Sequence, residues 1–201
     1  YPIVAADMVP DIAILDPAIP AKMPPHITAN TGMDVLAHAL EAVASTAATS
    51  FTDPYAIEAI HLVLTNLETA FREPDNQSAR FNMHNASALA GMAFTNASLG
   101  LVHSLAHKIG GEFGVTHGLA NAILLPYVIR FNRQFTDKYD RVEKLLGIDD
   151  QASAIEALNQ KLNIPCCFQQ CDEVAFVESK FQKVLDRMSQ NAHADPCTWT
   201  N

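Results

Sequence analysis

The chain of 201 residues is long enough for one large domain, or for one domain with a small appendage. Hydrophobic residues make up 49% of it and charged residues 17%, which indicates a globular protein rather than a disordered one. The formal net charge of −9 at pH 7 and the pI near 5.2 argue against a nucleic-acid or anionic-membrane partner.

Targeting signals and cysteine usage favour a cytoplasmic protein. No basic segment followed by an apolar run opens the chain, so no signal peptide is visible, and the apolar runs are too short to span a bilayer. Three of the four cysteines crowd into six residues, and a protein of this size does not need disulfides for stability. We expect reduced thiols at Cys166, Cys167, Cys171 and Cys197.

The chain opens with "YPIVAADMVPDIAILD", in which Ile12 to Leu15 form a short β-type run. Beyond the first thirty residues, Ala, Leu and Met recur at three- and four-residue spacing, which is typical of helices. The sequence therefore predicts a mainly α protein, a helical bundle preceded by a short extended segment that belongs to a neighbouring domain.

Several helix boundaries can be predicted in chain order. Asp53 and Pro54 are typical of an N-cap followed by proline at the first helical position, and "EPDNQ" ends that helix and begins the next. "GLANAILLPYVIRFN" predicts a buried helix that Pro126 kinks. Two shorter amphipathic helices follow, and the last helix covers roughly residues 172 to 189.

Five polar residues in apolar surroundings form a candidate metal site. Asp34 and His38 are four residues apart on one helix, and His103 and His107 repeat this spacing on a second helix. His117 follows after a segment in which Gly110, Gly111 and Gly114 let the chain turn back. A carboxylate with two or three imidazoles suits Fe(II), Zn(II), Mn(II) or Ni(II). Solvated polar helix faces would have the same spacing, so spacing alone leaves both interpretations open.

The remaining histidines and cysteines carry a weaker signal. His26, His61, His84 and His193 occur singly in polar or mixed contexts, and we expect structural or exposed roles for them. The cysteines near residue 170 lack a second pair or a nearby histidine that would complete a tetrahedral zinc site.

Two segments closely resemble a known family. "TGMDVLAHALEA" and "HSLAHKIGGEFGVTHGLANAILLPYVIRFN" are similar to the signature segments of the iron-containing (group III) alcohol dehydrogenases. The resemblance extends through "AGMAFTNASLGLVHSLAH", the "ADPCTWTN" ending and the opening "DMVPDIAILDP". The bifunctional aldehyde-alcohol dehydrogenases carry a domain of the same family.

The resemblance implies roles for individual residues. The implied metal ligands are Asp34, His38, His103 and His117. His107 would lie beside the substrate pocket as a catalytic proton relay, and Phe94 and Leu99 would line that pocket. Thr116 stands where the family commonly has proline, and Ala37 where it commonly has threonine, but neither departure removes a ligand.

The resemblance also implies a fold and its division. Residues 26–201 would form the all-helical, dehydroquinate synthase-like C-terminal domain, and residues 1–25 the end of a nucleotide-binding domain with its linker. That α/β domain binds NAD(P) through a Gly-rich turn after a strand. "GGEFG" instead follows a helical segment, so we expect this sequence to lack the N-terminal domain, and the cofactor-binding residues are unknown.

The implied function is NAD(P)-linked oxidation of a small alcohol, or reduction of an aldehyde, with Fe(II) or Zn(II) as the metal. A homo-oligomer is expected, with no nucleic-acid or membrane partner. Two alternatives stay open: a metal-binding helical fragment that is inactive without its nucleotide domain, and a metal-dependent lyase or hydrolase of related fold.

Overall fold

The computed structural model describes residues 10–171 and 178–201. Within these ranges the chain forms eight α-helices and no β-strand, which confirms the predicted helical bundle. The helices are α1 (Pro25–Ala44), α2 (Asp53–Arg72), α3 (Gln77–Ala97), α4 (Leu101–Phe113), α5 (His117–Asn132), α6 (Lys138–Leu146), α7 (Gln151–Lys161) and α8 (Glu178–His193).

Helix α1 is the centre of the bundle. Apolar residues occur on nearly all of its faces, as expected of a helix that is surrounded by protein. It packs against α2, α3 and α5, and it also contacts α4 and α6. The polar side chains that α1 buries, such as that of Glu41, therefore need partners in the protein interior.

The second half of the bundle is built on α4. This helix packs against α5 on one side and α8 on another, and α7 covers α5. A terminal 3-10 segment, Pro196–Thr200, also contacts α4. The segment is fixed by hydrogen bonds from Thr46 N to Thr200 O at 2.8 Å and from Thr200 Oγ1 to Leu99 O at 2.8 Å. The end of the chain thus lies beside the first turns of α4.

One prediction about local structure, the N-cap of α2, was wrong, and the predicted extended segment forms no strand with the described residues. The β-type run at Ile12 to Leu15 forms no strand, and Ile12 and Ile14 are exposed. A strand needs a neighbouring strand for its backbone hydrogen bonds, and none lies beside this segment in the described part of the chain. Asp53 is not the N-cap of α2 but its first residue, because its Oδ2 binds Arg141 Nη1 at 3.0 Å instead of the helix N-terminus.

The glycine segment after His107 also differs from the prediction. Gly110 and Gly111 lie inside α4, and only Gly114 makes the turn, in a left-handed conformation with φ of 73°. Pro126 lies within α5, which continues as one helix to Asn132. The predicted last helix overlaps α8, although residues 172–177 lie outside the described residues.

Two expectations from composition concern the whole chain. Within the described ranges, no disulfide joins any of the four cysteines. Over the same ranges, none of the helices has both the length and the apolar character needed to cross a bilayer.

Candidate metal centre

The structure brings together the polar residues that the sequence places on three separate helices. Asp34 Oδ1 lies 3.8 Å from His38 Nδ1, 3.6 Å from His103 Nε2 and 3.4 Å from His117 Nε2. The ligand atoms of Asp34, His103 and His117 all lie within 4.8 Å of one another. His38 lies directly beside this group, with its ring centroid 4.3 Å from that of His103. One carboxylate and three imidazoles thus meet where α1, α4 and α5 converge.

Close packing of α5 on α1 positions His117. It is the first residue of α5, and a Cβ added to the next residue, Gly118, would lie 2.1 Å from the backbone oxygen of Asn30. Only glycine fits such an approach of two backbones without displacing one of them. Across the same contact, Asn30 Nδ2 donates to Thr116 Oγ1 at 3.4 Å. The His-Gly pair therefore fixes the imidazole at the face of α1 that carries Asp34.

Asn121, which sequence reasoning missed, lies at the point where the ligand atoms converge. Its Nδ2 is 2.5 Å from Asp34 Oδ1, 3.2 Å from His103 Nε2 and 3.1 Å from His117 Nε2. An amide has two N–H groups and cannot satisfy three acceptors, and Asn121 Oδ1 is buried without a hydrogen-bond partner in the described structure. Converging acceptors on helices that pack together fit a cation better than an amide, so this donor set is suited to a divalent metal.

Glu41 is a second residue that sequence reasoning missed. Its carboxylate lies 2.6 Å from His103 Nδ1 and also accepts the backbone N–H groups of Gly100, Val102 and His103. These groups form the N-terminus of α4, where a negative charge is stabilised. Because an ionised carboxylate only accepts, Nδ1 carries the hydrogen and Nε2 keeps its lone pair toward Asp34 when the ring is neutral.

A spacing signal could have identified Glu41. It lies seven residues after Asp34 and three after His38, so all three side chains leave one face of α1. Glu41 and His103 are both almost fully buried, at 2% and 1% exposure of their side chains. A buried carboxylate is costly unless it is hydrogen-bonded, and here the hydrogen bonds are those that orient a potential metal ligand.

Burial and mutual charge set the protonation of the cluster. Burial would raise the pKa of Asp34, but the hydrogen bond with His103 and the nearby histidines lower it. Burial would lower the pKa of His103, but hydrogen bonds with Asp34 and Glu41 raise it to about 9. Burial and the neighbouring His103 lower the pKa of His38 to about 4, and burial lowers that of His117. In this cluster, two carboxylates therefore favour a positive charge at His103, and a metal ion would supply that charge.

A cavity of about 560 Å³ opens between α1 and α3 and reaches Asp34 and His38. Phe94 lines it and stacks on His38, with ring centroids 4.5 Å apart. His84, for which we expected a structural or exposed role, also lines this cavity. Leu99 lies outside its lining, in the link between α3 and α4, where its carbonyl accepts from Thr200 Oγ1.

The other histidines are distributed as follows. His107 lies one turn after His103 and stacks on His117, with centroids 5.4 Å apart, and its Nδ1 is 3.2 Å from Asp195 Oδ2. His26, His61 and His193 are exposed, in agreement with the roles expected for them.

The sequence matches the family model described as Fe-containing alcohol dehydrogenase family, C-terminal, over residues 28–201. The chain belongs to this family. It is 45% identical to a 1-propanol dehydrogenase of Salmonella typhimurium and 39% identical to an NADPH-dependent butanol dehydrogenase of Clostridium saccharobutylicum. Both matches cover 100% of this chain, and they cover 57% and 53% of the two relatives. The relatives also include an aldehyde-alcohol dehydrogenase of Streptococcus pneumoniae, at 38% identity over 25% of its length.

Solved structures agree with this assignment. The iron-containing alcohol dehydrogenase of Thermococcus thioreducens superposes with a TM-score of 0.88 at 35% identity, over 97% of this chain and 51% of that one. A sulfoacetaldehyde reductase of Bifidobacterium kashiwanohense, solved in complex with NAD+, gives a TM-score of 0.88 at 29% identity, over 99% of this chain and 52% of that one. The chain thus spans about half the length of the proteins with which it superposes.

Proposed function

We propose that this chain is the metal-binding part of an NAD(P)-linked alcohol dehydrogenase, which oxidises small alcohols and reduces the corresponding aldehydes. The observation that carries the proposal is the convergence of Asp34, His103 and His117 beside the cavity between α1 and α3. Membership of the Fe-containing alcohol dehydrogenase family supports the same chemistry.

The proposed metal ligands are Asp34, His38, His103 and His117. A set of one carboxylate and three neutral imidazoles suits Fe(II), and Zn(II) is compatible with the same ligands. When bound, such a metal supplies Lewis acidity that favours the deprotonated form of an alcohol, while the nicotinamide accepts the hydride. Glu41 would keep His103 in the tautomer whose Nε2 can bind the metal.

The cavity beside the ligands would hold the carbon chain of the substrate. Phe94 packs flat against His38 and presents an apolar wall next to the ligand cluster. Such a wall excludes water from the reacting carbon and favours a short apolar alcohol. His107, one turn from His103 and more exposed, is the proposed acceptor of the proton that the alcohol releases.

The nucleotide site is proposed to lie in an N-terminal domain outside this chain. Relatives of about twice the length include an NADPH-dependent butanol dehydrogenase and a reductase solved with NAD+. The sequence of this chain contains no Gly-rich turn that follows a strand, which is what the pyrophosphate of a dinucleotide requires. We therefore expect the isolated chain to bind metal but not to reduce NAD(P)+.

The test is a steady-state assay of the complete protein with 1-propanol or 1-butanol and with NAD+ or NADP+. We expect alcohol-dependent reduction of the nucleotide, loss of this activity after treatment with a chelator, and recovery with Fe(II) or Zn(II). Activity that survives complete metal removal would contradict the proposal. Turnover of a substrate without any nicotinamide nucleotide would instead favour a metal-dependent lyase or hydrolase.

A further inference from the structure

A second buried carboxylate lies beside α4, next to His107, which is one helical turn after His103. It belongs to Asp195, whose side chain is 7% exposed and which immediately precedes the terminal 3-10 segment. Its Oδ2 lies 3.2 Å from His107 Nδ1 and 2.7 Å from Lys108 Nζ. Its Oδ1 accepts the backbone N–H of Cys197 at 3.0 Å. Asp195 therefore links the end of the chain to two consecutive residues of α4.

The ring of His107 is held on two sides. Asp195 binds Nδ1, and the ring lies nearly parallel to that of His117, with 16° between the ring planes. An ionised carboxylate only accepts, so Nδ1 carries a hydrogen. No hydrogen bond from the described residues engages Nε2, and the His107 side chain is 37% exposed. Nε2 is thus the ring nitrogen that the hydrogen bonds of the described residues leave for a ligand or solvent.

The same residues do not form a good second metal site. His107, Asp195 and Cys197 bring possible ligand atoms within 4.8 Å of one another. However, the ammonium group of Lys108 already occupies the carboxylate, and burial together with Asp195 raises the pKa of the Cys197 thiol to about 12. A protonated thiol is a poor metal ligand, so the cluster is better described as a hydrogen-bonded network around His107.

The charge of Asp195 is stabilised where it lies. Burial would raise the pKa of its carboxyl group, but hydrogen bonds from Lys108, Cys197 and His107 hold it well below its usual range. The carboxylate is therefore ionised over the working range of an enzyme and serves as a permanent acceptor.

We propose that Asp195 is the positioning residue for His107 in alcohol oxidation, an inference that rests on the proposed function. By accepting the Nδ1 hydrogen, Asp195 holds the imidazole in the tautomer whose Nε2 has a lone pair, and it fixes the ring plane. During oxidation the O–H bond of the alcohol breaks and an Nε2–H bond forms, while the hydride passes from the carbinol carbon to the nicotinamide. The proton then leaves Nε2 for water, and Asp195 itself stays ionised.

The test is a double-mutant cycle on kcat in the complete protein, with Asp195→Asn, His107→Gln and the double variant. Asparagine keeps an oxygen that can cap the terminal segment, so the change is directed at the contact with His107. We expect Asp195→Asn to lower kcat by at least about tenfold when His107 is present, by analogy with outer partners of site histidines. In the His107→Gln background the same change should alter kcat by less than about twofold. Equal losses in both backgrounds would show a general structural role and overturn the inference.

A matched control is Asp53→Asn, which removes another largely buried carboxylate that binds a cation, Arg141, away from α4. We expect this control to change the melting temperature but not kcat. A fall in kcat like that of Asp195→Asn would overturn the inference.

A second measurement does not depend on turnover or on the folding of a variant. The nitrogen spectrum of the 15N-histidine-labelled, zinc-loaded protein should show that the neutral ring of His107 carries its hydrogen on Nδ1 and none on Nε2. The opposite tautomer would overturn the inference. An inactive wild-type protein would contradict the proposed function, whereas this spectrum would still test the Asp195–His107 contact.

Discussion

Helix α4 carries two histidines one turn apart, and each presents its Nδ1 to a buried carboxylate from another part of the chain. His103 and its partner Glu41 are both sealed in the core, at 1% and 2% exposure. His107 is 37% exposed, although its partner Asp195 is 7% exposed. The same contact thus occurs in two environments. Nε2 of His103 faces buried protein groups, whereas the His107 side chain is partly open to solvent.

The two carboxylates also have different anchors. Glu41 belongs to the central helix α1 and gathers backbone N–H groups from the start of α4, so its position is fixed by the core. Asp195 belongs to the end of the chain and is held by Lys108 and the terminal segment. A rigid pair suits a metal ligand, which must keep its place. A pair whose histidine is partly exposed suits a group that exchanges protons with solvent.

The largest effect should come from Glu41. Glu41→Gln replaces one carboxylate oxygen by an NH2 group, which faces donors and cannot accept from them. We expect metal affinity to fall by about 10- to 100-fold, the usual cost of losing the partner of a ligand histidine. Competition with a chelating dye, followed by quantification of bound metal, measures this change.

Glu143→Gln is the matched control for that substitution. Glu143 is also buried and accepts the backbone N–H of Gln151, but it lies on α6, outside the ligand cluster. It should lower stability without changing metal affinity. Equal affinity losses in the two variants would mean that Glu41 acts only as a buried structural carboxylate.

Gly118→Ala should disturb both histidine pairs together. His117 lies against both rings of α4, with centroids 5.2 Å from His103 and 5.4 Å from His107. The added Cβ would lie 2.1 Å from the Asn30 backbone oxygen, so α5 must move away from α1. We expect a loss of about 1–3 kcal/mol in the free energy of unfolding, measured by urea denaturation, together with weaker metal binding.

Gly111→Ala provides the opposite expectation on α4. A Cβ added there meets no heavy atom within 4 Å. Alanine is the better helix former, so stability should rise by about 0.5–1 kcal/mol. If the two alanine variants were equally stable, the close approach of α5 to α1 would not be what positions His117.

The smallest effect concerns the reactivity of the Cys197 thiol, which depends on the charge of the neighbouring Asp195. Burial and the Asp195 carboxylate raise the pKa of this thiol to about 12, so little thiolate exists at pH 8. Asp195→Asn removes the negative charge, lowers that pKa and should accelerate alkylation by iodoacetamide severalfold. Peptide mass spectrometry measures the rate, with the exposed Cys166 as the internal reference. An unchanged ratio of the two rates would show that burial alone controls the Cys197 thiol.

The helices could be predicted because they depend on local spacing. Spacing alone left the clustering of the histidines open, and the resemblance to the iron-containing alcohol dehydrogenases indicated it. Asp34 and His38 share a face of α1, and the apolar residues around them indicated that this face is buried. Glu41 was missed because an acidic residue in a helix is usually solvated, and only the packing of α4 shows that it faces three backbone donors. Asn121 was missed for a similar reason. It lies one turn after His117 on α5, and only the packing of α5 against α1 shows that its amide faces the candidate ligand atoms.

The positions of other residues depend on tertiary contacts that a sequence pattern does not show. Asp195 is 88 residues from His107, and the pairing requires the chain to return to α4 after α8. His84 reaches the cavity only because α3 packs along α1. Ile12 and Ile14 have the composition of a strand, but composition cannot supply the neighbouring strand that would complete it.

The most direct test of the account is the metal content of the anaerobically purified complete protein, compared with that of a His103→Ala, His117→Ala double variant. We predict about one equivalent of iron or zinc per chain in the parent and essentially none in the variant, because two of the converging ligands are removed. Equal metal content in the two proteins would contradict the ligand assignment and, with it, the proposed role of this helical bundle.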